Sequence, residues 1–255
     1  DILYGYSKCG NARGSVYIWT ANDKKGITFE EYIKKISKNP DKNADLKLQK
    51  IVGVLLTVTD FVKALHYAGF MHLDIKPSNF LIPYNGDMDI NENSISAFDI
   101  NSFKYIYSSL PQEYTGTYGF SAPETERGRG CDLSDLYSIG ACLFYAVCQI
   151  PSADGITNMR YTGSHSEIND FLKQSYLLQS LKNRRRAQIV ARLGGIIGKC
   201  LEYNPGKRYT SCKTLEEDLK KLAVELEVYV KNKCIDDDGE LVIIEKEKKN
   251  DNAKA

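Results

Sequence analysis

The stretch from Ser134 to Gln149, "SDLYSIGACLFYAVCQ", constrains the fold more than any other, because it is apolar around nearly every turn of a helix. A helix without a polar face has to be enclosed, so the chain must build layers of other elements around it. The run from Leu133 to Ile150 is short for a bilayer core of about 30 Å and carries Asp135, so a buried core helix is expected rather than a membrane span. With 255 residues the chain can bury one large domain or two small lobes.

The neighbouring patterns say what encloses it. Apolar residues at Ile51, Val52, Leu55, Leu56, Val58, Val62 and Leu65 predict a long helix from Leu48, buried along one side and ending near Gly69. "TFEEYIKKI" reads as a short helix, with Thr28 and Glu31 spaced as a capping box, and "SKNPDKNAD" as the loop after it. "QIVARLGGIIGKCLE" and "TLEEDLKKLAVELEVYV" show helical periodicity, and everything after Pro123 reads as helical. "DILYGYS" and "SVYIWT" at the N-terminal end read as short strands, as do Phe80 to Ile82 and "SISAFD", the latter two separated by the turn "PYNGDMDINEN". The fold class is therefore α+β: a short β segment, then a mainly helical domain. The charged end, "EKEKKNDNAKA", is expected to be disordered.

Between the long helix and the strand pair lies "HLDIKPSNFLI", residues 72 to 82. An Asp, a Pro, a Ser and an Asn together make a good turn, and they also make a place to hold a ligand. The spacing Asp74-x-x-x-x-Asn79, with His72 two residues before the acid, resembles the protein-kinase catalytic loop, and Lys76 matches the lysine of serine/threonine kinases. Further matches follow in family order. Asp99 in "FDINS" stands where the D-F-G aspartate does, and "GTYGFSAPE" resembles the end of an activation segment. "SDLYSIG" resembles the start of the central helix, and "NPGKR", ending in Arg208, the arginine motif before the last helix. The chain thus resembles the C-terminal lobe of a eukaryotic-like serine/threonine protein kinase. Residues 1–22 fall on the last N-lobe strands and the hinge, 23–232 on the C-lobe, and 233–255 on the charged tail.

The resemblance implies a site. Asp74 would orient the acceptor hydroxyl and take its proton, and Lys76 would set a positive charge on the transferred phosphate. Asn79 and Asp99 would supply oxygen ligands to Mg2+, and with Lys76 they would hold ATP. Thr117 would hydrogen-bond the acid and the lysine. Glu124 and Arg208 would form a buried ion pair, Asp135 would accept from the catalytic-loop backbone, and His72 would be a packed core histidine. The implied partners are a protein substrate with a Ser or Thr acceptor and the remaining N-lobe of the same protein.

Departures from the family pattern matter as well. Leu73 replaces the arginine that pairs with an activation-segment phosphate, so that route of control is not expected. Ile100 and Asn101 replace the phenylalanine and glycine of D-F-G. "CGNARGSV" offers only Gly14 and Val16 of the glycine-rich loop, and no V-A-I-K precedes the catalytic loop, so these residues are expected to be catalytically silent by themselves. Two rival readings follow, a pseudokinase that binds or scaffolds and a small-molecule phosphotransferase with a similar loop; "APE", Lys76 and Arg208 weigh against the latter.

Composition excludes other classes. A net charge of +1 gives no bulk electrostatic case for nucleic acid or membrane binding. Seven cysteines without a CxxC pair point to a reducing, cytoplasmic setting rather than a disulfide framework. His66, His72 and His165 show no metal spacing, the acidic "NGDMDINENS" and "DDDG" read as solvated turns, and "KNRRRAQ" reads as an exposed helix end.

Overall fold

The computed structural model describes residues 4–5, 19–20, 26–39, 43–83, 95–97, 102–107, 114, 116–149 and 165–232. At the N-terminal end, β1 (Tyr4–Gly5) pairs antiparallel with β2 (Trp19–Thr20). Strand β3 (Gly26–Thr28) leads directly into helix α1 (Phe29–Lys38). Thr28 accepts the Glu31 N–H at 3.1 Å while the Glu31 carboxylate accepts the Thr28 N–H at 2.8 Å, so the expected capping box starts this helix. Its apolar face, Phe29, Tyr32, Ile33 and Ile36, is fully buried.

Helix α2 runs from Ala44 to Tyr67, starting a turn earlier than apolar periodicity alone suggests because Asn43 caps the Leu46 N–H at 2.8 Å. Gly69 follows with φ 88, the left-handed residue that lets the chain reverse. After it come β4 (Phe70–Met71), a single 3-10 turn at Pro77–Asn79, β5 (Phe80–Pro83), β6 (Ser96–Ala97) and β7 (Lys104–Tyr105). Strands β3, β5 and β6 form one antiparallel sheet in that order, with Ile27 opposite Ile82 and Phe80 opposite Ala97. Strand β4 pairs with β7, Phe70 opposite Tyr105.

The apolar stretch forms helix α3 (Asp132–Cys148), and it is central as its composition demands. Leu136, Tyr137, Ile139, Leu143, Phe144 and Val147 are all buried, on every side of the helix. Each such side chain removed from water contributes about 1.5–3 kcal/mol. The layer around it comprises α4 (His165–Gln174), the short α5 (Tyr176–Gln179) and α6 (Asn183–Cys200), together with α2, against which α7 (Cys212–Asn232) packs. A Cβ on Gly140 would lie 2.2 Å from the Cys200 Cβ, so α3 and α6 touch closely there.

Helices α2 and α7 run antiparallel. Lys63 and His66 near the end of α2 meet Glu216 and Cys212 near the start of α7. At the other end Arg185 of α6 bridges them, with Nη2 2.8 Å from Asp45 and Nη1 3.0 Å from Glu225. "KNRRRAQ" is the exposed start of α6 as expected, except at Arg185, which is only 2% exposed because partners distant in sequence draw it inward. The acidic turns, the D-F-G-like Asp99 with Ile100 and Asn101, and the charged tail lie outside the described residues.

Candidate active site

The site is assembled where α2 ends, the loop after β4 turns, and the segment preceding α3 folds back. Asp135, in the first turn of α3, is fully buried and organises the loop. Its Oδ1 accepts the Leu73 N–H at 2.8 Å and its Oδ2 accepts the His72 N–H at 2.8 Å. These bonds hold Leu73 at φ 66, a left-handed conformation that costs a non-glycine residue roughly 1–3 kcal/mol. The bend they impose projects Asp74 and Lys76 together.

His66 completes the cradle and was not singled out from the sequence. Its Nε2 lies 2.8 Å from Asp135 Oδ2 and its Nδ1 3.5 Å from the Cys212 sulfur. Burial works against the charged imidazole, but the hydrogen bond to Asp135 outweighs it and raises the His66 pKa to about 10. His66 is therefore cationic at neutral pH and neutralises a carboxylate that has no access to water. His72 is packed as expected, fully buried against Phe103 with ring centroids 4.8 Å apart, and its Nδ1 accepts the Asp74 N–H at 3.3 Å.

Four of the five expected site residues converge. Asp74 Oδ1 accepts the Thr117 hydroxyl at 2.7 Å, and the same Thr117 oxygen accepts Lys76 Nζ at 2.7 Å. Lys76 Nζ also lies 3.0 Å from Asp74 Oδ2. Asn79 Nδ2 donates to the Asp74 carbonyl at 2.9 Å and to its Oδ2 at 3.1 Å. Asp74 and Asn79 are 5% and 4% exposed, while the Lys76 side chain keeps 22%, so the acid is fixed and the cation remains reachable. The fifth residue, Asp99, lies outside the described residues.

The donor set suits a phosphate and a hard cation. A carboxylate, an amide and an ammonium meet at one point, with Asn79 offering the neutral oxygen that Mg2+ accepts and Lys76 the charge that phosphate needs. Among the described residues no cluster of three or more His, Cys, Asp or Glu side chains could hold a metal by itself.

The segment from Gly116 to Glu124 is anchored at both ends. A Cβ on Gly116 would sit 2.1 Å from Ser121 Oγ and 3.0 Å from the Leu73 carbonyl oxygen, so only glycine lets the segment lie against the loop. Glu124 meets Arg208 in a bidentate pair at 2.6 and 2.9 Å, with Ser134 Oγ adding a third bond at 2.6 Å. Burial favours the neutral acid, yet the Arg208 guanidinium prevails and holds the Glu124 carboxyl below its ordinary range. Arg208 also donates to the carbonyls of Glu202 and Leu133 and stacks over Tyr137 at 5.0 Å.

The protein kinase domain model matches residues 15–219, and the chain belongs to that family. It is 26% identical over 218 residues to serine/threonine-protein kinase D of Synechocystis, covering 81% of this chain and 38% of that protein. It is 23% identical over 217 residues to a probable serine/threonine-protein kinase of Clostridium perfringens, covering 84% of this chain and 29% of the relative. A 100-residue stretch is 35% identical to serine/threonine-protein kinase Pkn1 of Myxococcus xanthus, covering 37% of this chain and 14% of that kinase. The chain thus spans well under half the length of these relatives. Among the described residues no helix is long and apolar enough to cross a membrane.

Proposed function

We propose that the protein is an ATP- and Mg2+-dependent serine/threonine kinase whose phosphoryl-transfer residues are Asp74, Lys76, Asn79 and Thr117, with Asp99 as a second metal ligand. The observation that carries this reading is the closed contact of Asp74, Thr117 and Lys76, each pair within 3.0 Å. Bound Mg-ATP would supply the γ-phosphoryl group. Asp74 Oδ1 accepts only the Thr117 hydroxyl and retains a lone pair, so it can orient a substrate Ser or Thr hydroxyl and accept its proton. Lys76 stands beside that proton acceptor and offsets charge on the phosphoryl oxygens. Thr117 ties the segment that carries a protein substrate to both of them, so acid and cation are aligned only when the segment is seated.

The proposed organisation is a C-lobe over 23–232, preceded by N-lobe strands and hinge and followed by a charged tail, working in the cytoplasm in a signalling role. Leu73 bears on control rather than chemistry: it is 2% exposed and carries no charge, so a phosphate on the segment finds no cation at that position. The experiment is transfer of radiolabel from ATP to a mixed-sequence protein substrate by the whole protein, with and without Mg2+, followed by phosphoamino-acid analysis. Phosphoserine or phosphothreonine is expected only with Mg2+. Nucleotide binding without label transfer would favour a pseudokinase, and label on a small molecule alone would favour the phosphotransferase reading.

A further inference from the structure

Between Asp170 and Glu202 the chain has no acidic residue, yet it carries Lys173, Lys182, Arg184, Arg185, Arg186, Arg192 and Lys199. In a chain of net charge +1 this is a local excess of positive charge, and it falls on α4, α6 and the segment joining them. Arg185 points inward to Asp45 and Glu225. Lys173, Lys182, Arg184, Arg192 and Lys199 are exposed, and Arg186 is half-buried.

Where α4 meets α6, a cleft of about 490 Å³ opens between Asn169 and Lys173 on one side and Arg186, Ala187, Val190 and Ala191 on the other. Its wall on α6 is apolar, and its mouth is cationic. Arg186 is held at that mouth by donating Nη2 to the Lys173 carbonyl. Asn169 Oδ1 is buried and has no hydrogen-bond partner among the described residues. The absence of a side chain on Gly194 leaves room for that oxygen, since a Cβ there would lie 2.0 Å from it. Lys173 pairs with Asp170 at 3.0 Å in an exposed bridge that competes weakly with an incoming carboxylate.

An apolar cleft with a cationic rim has a complementary partner. We infer that the α4–α6 face docks an acidic peptide segment of a partner protein, with an apolar side chain seated against Ala187, Val190 and Ala191 and flanking carboxylates on Lys173 and Arg186. Charge steers the encounter, and the apolar anchor supplies the selectivity that charge alone lacks. The inference does not depend on phosphoryl transfer, because the cleft shares no residue with the Asp74 site.

The test is fluorescence anisotropy on the full chain with a labelled ten-residue peptide of Asp and Glu around a central Leu pair. Its controls are the same peptide with Gly for Leu and an oligothymidylate of equal charge. Saturable binding is expected, weaker by about tenfold in the Lys173→Glu variant at the exposed rim. It is also expected to weaken in Ala187→Phe, which fills the cleft from an exposed position, with the thermal melt of each variant unchanged. Loss of the Leu pair should weaken the peptide comparably. No saturable binding at millimolar peptide would overturn the inference. So would binding indifferent to Ala187→Phe and to the Leu pair, or oligothymidylate binding as tightly as the peptide, which would make the face a general polyanion patch.

Discussion

The Thr117 hydroxyl lies 2.7 Å from Asp74 Oδ1, across 43 residues of sequence. The proposed proton acceptor is therefore not positioned by its own loop alone. The segment that follows the strands closes on it, and Lys76 locks the contact from the other side at 2.7 Å. Replacing Thr117 by Val keeps the shape and removes both bonds. Label transfer should fall by about 10- to 100-fold, near the lower end of what a positioned proton acceptor contributes, with melting temperature little changed. Full activity in Thr117→Val would show that the segment does not align the acid.

Glu124 and Arg208 form the second long-range tie, with side chains 14% and 0% exposed. Arg208→Ala should cost about 3–5 kcal/mol in chemical denaturation, since it strands a buried carboxylate. The pH dependence has a defined sign. The folded Glu124 pKa lies below its ordinary 4.5, so its contribution is present above that value and is lost as pH falls through the depressed one. The difference between wild type and Arg208→Ala should shrink on acidification; a difference constant with pH would contradict the pairing.

His66 titrates in the opposite sense. Its folded pKa of about 10 exceeds the ordinary 6.5, so its contribution is complete below about 6.5, declines above that and is gone above about 10. Comparing wild type with His66→Gln by denaturation from pH 6 to 10 should show the gap closing as pH rises. NMR of the His66 ring should find it protonated at neutral pH, and a neutral ring there would remove the charge from the Asp135 cradle.

Gly140 tests the packing of the central helix. Gly140→Ala would bring a methyl to within 2.2 Å of the Cys200 Cβ and should cost about 1–3 kcal/mol as α3 and α6 are forced apart. Cys200→Gly in the same chain should recover part of the loss, and additive losses in the double variant would place the strain elsewhere.

Much of this was legible in the sequence, for reasons that differ from part to part. α3 was readable because a helix apolar on all faces has one possible location, and α1 because Thr28 and Glu31 announce its start. Asp74, Lys76, Asn79 and Thr117 were legible through the resemblance of their motifs to a protein kinase, and their convergence needed the fold. Short strands such as Gly26–Thr28 and Phe70–Met71 were missed, since two or three residues carry too little alternation to read and owe their form to a partner strand. His66 and Arg185 were missed for a stronger reason. Their partners, Asp135 and Asp45, stand 69 and 140 residues away, and nothing local to either residue reports a distant carboxylate.

The most direct measurement is single-turnover label transfer from Mg-ATP by the whole protein, wild type against Asp74→Asn. The substitution preserves size, the Thr117 bond to the remaining side-chain oxygen and the Asn79 bond to the main-chain carbonyl, while removing the proton acceptor and turning the position that accepts from Asn79 and faces Lys76 into a donor. The rate should fall by about 10²–10⁴-fold with nucleotide affinity unchanged. Equal rates in the two proteins would contradict the assignment of Asp74, and with it the mechanism built on that loop.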